Sequence, residues 1–178
     1  MTKLKLAKVT LACAQYPIGR FAAFADWQEN AALWVKQAAD AGAGLLLFPE
    51  YGAMELTSLL PPHLQRDLHG QIAAMQQFHE AFIATYADLA KRYRLHIVAP
   101  SLPVTVGAQF HNRAYVLSPD GGIPWQEKGQ MTRFRREWMV HFITRDPRIF
   151  DGNILTSLRE GTAFFASACM IATGGILA

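Results

Sequence analysis

Glu50 stands directly after Leu45-Leu46-Leu47-Phe48-Pro49, a bulky apolar run closed by a proline. Such a run predicts a short buried strand, and the proline cannot donate to a continuing ladder. The carboxylate therefore falls where the strand leaves the core. In α/β proteins that is where loops set by a rigid sheet hold reacting groups. A carboxylate there could move protons as a general acid or base. Taken by itself, the stretch reads equally well as a strand followed by a surface turn with a solvated glutamate. A second charged candidate, Lys128, ends the extended run Trp125-Gln126-Glu127-Lys128. That run follows Ser118-Pro119-Asp120-Gly121-Gly122, a turn in which proline presets φ and glycine supplies positive φ. The two cysteines, Cys13 and Cys169, lie far apart without metal-ligand spacing, and the six histidines form no zinc signature.

Composition narrows the classes. The 178 residues suffice for one domain with a real core, and 51% apolar against 17% charged residues argues against disorder. Net charge is +3, with the basic residues spread widely. The one cluster, Arg133, Arg135 and Arg136 beside Phe134 and Trp138, is too short for a nucleic-acid surface and has no recognised module around it. A secreted disulfide framework is unsupported. The apolar run Val9 to Ala14 is too short for a signal peptide, so a cytoplasmic protein is expected.

The elements that must position these groups follow in order. Val9 to Gln15 reads as a strand buried on both faces, with Cys13 inside it as a small, inert hydrophobe. Trp27, Ala31, Trp34, Ala38 and Ala41 repeat at helical spacing, with Asp26 as the expected N-cap and Gly42 as the stop. With the Leu45 strand this makes a βαβ unit. The segment from Tyr51 to Gly70, with Pro61-Pro62 and no clean period, predicts a long loop carrying at most a short helix. A helix over 71–93 follows, its face marked by Ile72, Met75, Phe82, Tyr86, Leu89 and Tyr93; His79 on it reads as a surface or boundary residue. Two further strands are expected at Leu95 to Ser101 and Phe110 to Leu117.

Phe48-Pro49-Glu50, the Asn112 strand with its Pro-Asp-Gly turn, and Lys128 within Gln126 to Phe134 together resemble the nitrilase, or carbon–nitrogen hydrolase, superfamily. Ala12-Cys13-Ala14-Gln15 resembles that family's opening strand, and the resemblance extends over roughly residues 9 to 140. It implies an α/β fold, the α-β-β-α sandwich of the nitrilase type. It also implies a Glu–Lys–Cys triad that hydrolyses non-peptide C–N bonds of small amides, nitriles or carbamoyl compounds through a thioester. No metal or organic cofactor is called for, and a homo-oligomer is expected. Glu50 would be the general base, and Lys128 would stabilise the charge of the tetrahedral intermediate. Glu137 resembles an accessory glutamate found after the lysine in many members. The alternative is a Glu50–Lys128 ion pair with no chemical task, an arrangement that costs several kcal/mol unless both charges are well satisfied.

The departure comes late in the chain. The family's lysine is followed by a strand and an elbow reading Cys-Tyr-Asp or similar, then Phe-Pro. Here the corresponding stretch is Ala166-Ser167-Ala168-Cys169-Met170-Ile171. Cys169 lies at a plausible distance for the nucleophile, but its neighbours do not match the elbow. The expected division is a hydrolase portion over residues 1–151 and a divergent tail over 152–178. Gly161 to Ala178 carries no charge, yet Gly174-Gly175 and scattered Ser and Thr argue against a membrane anchor. Two accounts stand: a shortened enzyme with Cys169 as nucleophile, or an inactive remnant or interaction module with the same first half of the fold. The missing second half makes a truncated family member the expectation.

Overall fold

The computed structural model describes residues 10–127. Short strands β1 (Leu11–Cys13) and β2 (Leu45–Leu47) flank helix α1 (Phe24–Asp40) and pair in parallel, Leu11 with Leu45 and Cys13 with Leu47. That is the βαβ unit predicted from the change of period. Helices α2 (Leu68–Met75) and α3 (His79–Tyr93) lead to β3 (His96–Val98), which is parallel to β2. Strands β4 (Leu102–Val106), β5 (Gln109–Leu117) and β6 (Trp125–Glu127) bring the sheet to six strands among the described residues, a mixed sheet in which β5 is antiparallel to its neighbours β3, β4 and β6. Arg113 is the register partner of both Leu102 and Glu127, so β4 and β6 flank β5 on opposite sides.

Alternation along the strands divides the apolar residues between two faces. Leu46, Ile97 and Leu117 join the main core, which also takes Trp27, Ala31 and Val35 of α1 and Phe82, Tyr86 and Leu89 of α3. Leu45, Leu47, Val98 and Val116 form a smaller cluster on the other face. Strand β2 is therefore buried on both sides, which is why its sequence is continuously apolar.

The first strand is not. Expected to be buried on both faces, β1 is exposed at Leu11 and Cys13 and half-buried at Ala12, and Cys13 carries a free, exposed thiol. Among the described residues it ends the strand order and meets only β2. Leu11 and Cys13 continue the Leu45–Leu47 face past its buried part, so among the described residues this apolar run lies at the margin of the sheet.

Three other expectations change in detail. The N-cap of α1 is Ala23, and Asp26 serves from inside the first turn, where its Oδ2 accepts the Ala23 N–H at 2.9 Å. The segment after Glu50 holds 3₁₀ turns over Gly52–Leu59 and Leu64–Arg66, whose three-residue period hid them from a search for 3.6. The helix expected over 71–93 is two helices separated by a 3₁₀ turn at Gln76–Phe78. The Gln76 side chain bonds the edge of β4 there: Nε2 donates to the Pro103 carbonyl at 2.9 Å and Oε1 accepts the Thr105 N–H at 3.0 Å.

Candidate active site

Glu50 lies where the main-chain pairing of β2 ends. Phe48 N–H still donates to the Val98 carbonyl at 3.0 Å, after which Pro49 has no N–H to continue. Tyr51 then takes left-handed backbone, φ 58°, and its N–H donates to Ser101 Oγ at 2.9 Å, just beyond β3. This turn points the half-buried Glu50 across the sheet to β5, where Asn112 Nδ2 donates to Glu50 Oε1 at 2.8 Å. An ionised carboxylate only accepts, so the amide must present nitrogen to it. Asn112 is 3% exposed, and its Oδ1 accepts no hydrogen bond among the described residues. The solvated-glutamate reading of Glu50 is thereby displaced: a buried side chain from a remote strand holds it.

Residues of the other parity on β5 build a polar ladder toward β6. His111 Nδ1 lies 2.7 Å from Glu127 Oε2, and because the carboxylate accepts, Nδ1 carries the proton. Arg113 donates to Glu127 Oε1 from Nη2 at 2.6 Å and from Nε at 3.2 Å, with its guanidinium 4.0 Å above the Trp125 ring. Farther along, His79 Nε2 meets the Tyr115 hydroxyl at 2.7 Å. Burial pushes the His79 imidazole below its ordinary pKa, and the Arg113 charge adds to this. Burial would push the Glu127 carboxyl up, but the Arg113 and His111 hydrogen bonds and charges together hold it below its ordinary value. Its stabilisation is therefore present above the ordinary glutamate pKa and lost as pH falls through the depressed folded value. Glu127→Gln is expected to weaken the fold at neutral pH by about 1–3 kcal/mol and to flatten this acid limb. Urea unfolding of both proteins across the acid range measures it, and parallel acid limbs would remove Glu127 as their source.

Of the candidate residues, only Glu50 lies among the described ones; Lys128, Glu137 and Cys169 lie outside them. Sequence reasoning missed two buried carboxylates, Glu55 and Glu127. The available signal for Glu55 was a lone acidic residue in an apolar setting, Ala53-Met54-Glu55-Leu56, whereas Glu127, between Gln126 and Lys128, carried no such signal. It also named Asn112 only as part of a strand. Among the described residues no group of three or more His, Cys, Asp or Glu is placed to hold a metal ion. No helix among them is long and apolar enough to cross a membrane.

A mixed sheet with helices packed on one face, and a braced carboxylate at the end of a parallel strand, defines an α/β protein with a candidate site at the strand ends. The family model of carbon–nitrogen hydrolases matches residues 10–150, and the chain belongs to that family. A second family model, described as a protein of unknown function, DUF599, matches residues 127–178. The chain is 27% identical over 143 residues to the probable hydrolase YhcX of Bacillus subtilis (strain 168), covering 80% of this chain and 27% of that protein. Its fold is similar to that of a carbon–nitrogen hydrolase from Helicobacter pylori G27, with a TM-score of 0.57, 18% identity and coverage of 78% and 45% of the two chains. An amidase from Nesterenkonia sp. follows at a TM-score of 0.52 and 17% identity, with 80% and 50% covered. The fold is thus of the nitrilase type, and the chain spans about a quarter of its curated relative and about half of these solved structures.

Proposed function

We propose that this chain carries the base and lysine of a hydrolase for non-peptide carbon–nitrogen bonds, acting on small amides, nitriles or carbamoyl compounds. The observation that carries the reading is the Asn112–Glu50 hydrogen bond, which fixes a carboxylate at the end of a buried strand. Lys128 follows Glu127 in sequence, and Glu127 is the register partner of Arg113, the neighbour of Asn112. In this reading Glu50 takes the proton of a cysteine thiol as sulfur adds to the substrate carbon. The Lys128 ammonium stabilises the charge that collects on the substrate's oxygen, or on the nitrogen of a nitrile. Collapse breaks the C–N bond, and the amine leaves with the proton from Glu50. Water, deprotonated by Glu50, then adds to the thioester carbon, and the C–S bond breaks to release the acid as Glu50 returns the proton to the cysteine sulfur. A variant of the Nesterenkonia amidase takes up acrylamide at its active site cysteine, which supports thiol chemistry and an amide-like substrate here. Glu137 is retained as an accessory group.

Cys169 is the proposed nucleophile, in a tail that begins after about residue 151. A second reading, an inactive remnant or interaction module, is favoured by one observation: Cys169 lies within the segment that matches the family of unknown function. Alkylation separates the two. Because Cys13 is exposed, the test uses Cys13→Ser protein. Under the hydrolase reading a mild alkylating reagent labels Cys169 quickly, and Glu50→Gln slows the labelling at least about tenfold. Labelling that ignores Glu50→Gln hands the chain to the second reading.

The uncovered margin of the sheet at Leu11 and Cys13 supports a homo-oligomer, since apolar strand faces associate when left in water. Light scattering on residues 1–178 is expected to give a multiple of the 19.8 kDa chain mass. A monodisperse monomer would refute this.

A further inference from the structure

Five residues after Glu50 stands a second carboxylate that the chemistry above does not use. Glu55 is 2% exposed. The Tyr16 hydroxyl and Trp27 Nε1 donate to its Oε1 at 2.6 and 2.7 Å, and the Gly19 N–H donates to Oε2 at 3.1 Å. Asn30 Nδ2 in turn donates to the Tyr16 hydroxyl at 2.8 Å. All three partners of Glu55 are neutral donors, and no cationic side chain among the described residues pairs with it. Burial pushes this carboxyl up, and the three hydrogen bonds oppose the shift. An apolar side chain would fill the same space without that desolvation, so filling space does not account for a carboxylate here.

Its place in the chain does. Glu55 sits in the 3₁₀ segment Gly52–Leu59, and its carboxylate reaches the β1–α1 connection at Tyr16 and Gly19 and the body of α1 at Trp27. A further bond runs between the same stretches, Phe21 N–H to Ser58 Oγ at 3.0 Å, and Arg20 Nη2 donates to Gln65 Oε1 in the next 3₁₀ turn at 3.0 Å. Between Glu50 and this anchored segment lies Tyr51, at a positive φ that a bulky L-residue adopts only when its surroundings over-determine it. Ser101 holds the N-terminal side of Tyr51 and the Glu55 anchor holds the side beyond it.

We propose that Glu55 is a positioning residue for Glu50: its three-donor anchor keeps Tyr51 in left-handed backbone and thereby holds the Glu50 carboxylate against Asn112. The proposal rests on the reading of Glu50 as the base.

Glu55→Gln is the direct probe. It preserves size, but its amide nitrogen brings a donor to a site where every partner already donates, so at least one anchor opens. Amide hydrogen exchange in the 178-residue chain is expected to speed up at least about tenfold at Tyr51, Gly52 and Met54, while Tyr86 and Leu89 in the core of α3 stay within about threefold. Turnover of a small amide such as propionamide should fall about tenfold or more in kcat, with KM within about threefold. Glu55→Asp, which keeps the charge but draws it back by one methylene, should give the same local signature and is the variant to read if the Gln protein does not fold. Unchanged exchange at 51–54, or an equal rise throughout α3, would overturn the proposal, because Glu55 would then be idle or a general stabiliser. Glu50→Gln tells the two failures apart: if it leaves turnover untouched the base reading falls, while the exchange pattern still decides what Glu55 holds.

Discussion

Glu50→Gln is expected to lower amide turnover by about 10²–10⁴-fold while leaving the fold intact, the range that a positioned general base contributes. The substitution is conservative in the respect that matters for structure. A glutamine oxygen at the Oε1 position still accepts the Asn112 Nδ2 hydrogen bond, so the turn after β2 keeps its anchor. On the proposed mechanism, what disappears is the ability to take the thiol proton and return it to the leaving amine. The loss should appear in kcat, since a proton acceptor acts on the reacting atoms rather than on resting substrate. Lys128→Met should cause a loss of similar size by a different route, through uncompensated charge in the tetrahedral intermediate. Steady-state kinetics on purified variants with unchanged melting curves make the measurement. Full turnover in Glu50→Gln would remove this carboxylate from the mechanism.

The largest effect on stability is expected from Trp27→Ala. Trp27 is fully buried, stacks on Phe82, meets Tyr86 edge-on, and lies beside Phe24. Removing a buried aromatic side chain leaves a cavity and costs about 3–5 kcal/mol. Here the indole N–H is also lost, so Glu55 keeps its buried oxygen with one donor fewer, a further cost of about 1–3 kcal/mol. Against a total stability of about 5–15 kcal/mol, the sum consumes much of the margin. The melting temperature should fall by about 10–20 °C. Trp27→Phe retains part of the ring packing but not the N–H, so its smaller loss combines the Glu55 bond with a smaller cavity. Calorimetry of the three proteins measures these losses, and an unshifted melt in Trp27→Ala would contradict the core described above.

These effects trace to different levels of the chain. The Leu45 run, the proline that ends it and the carboxylate that follows specify a buried strand with a charged group at its exit, all within six residues. The apolar spacing of α1 specifies most of the side that packs inward: Trp27, Ala31 and Ala38 are buried, but Trp34 is half-buried, Ala41 is exposed beyond the helix end, and Val35 takes the inward place between them. Such features are legible because period and turn chemistry are properties of near neighbours. The co-occurrence of the Glu50 stretch, the Pro-Asp-Gly turn and the Lys128 run was enough to indicate the family, since each piece is itself local.

Only the tertiary structure decided which side chains those local features meet. Asn112 reaches Glu50 across 62 positions of sequence, and the contact depends on how β2, β3 and β5 lie side by side. Glu55 is buried because the segment after Glu50 folds back onto α1, and a 3₁₀ segment displays no 3.6-residue pattern that would announce it. Cys13 went the other way: its apolar surroundings promised a strand buried on both faces, whereas among the described residues the strand order leaves it exposed at the margin. An apolar run records that a strand has hydrophobic neighbours available. How many of its faces are covered is set by elements elsewhere in the chain, because burial belongs to the packed layers and not to the strand alone.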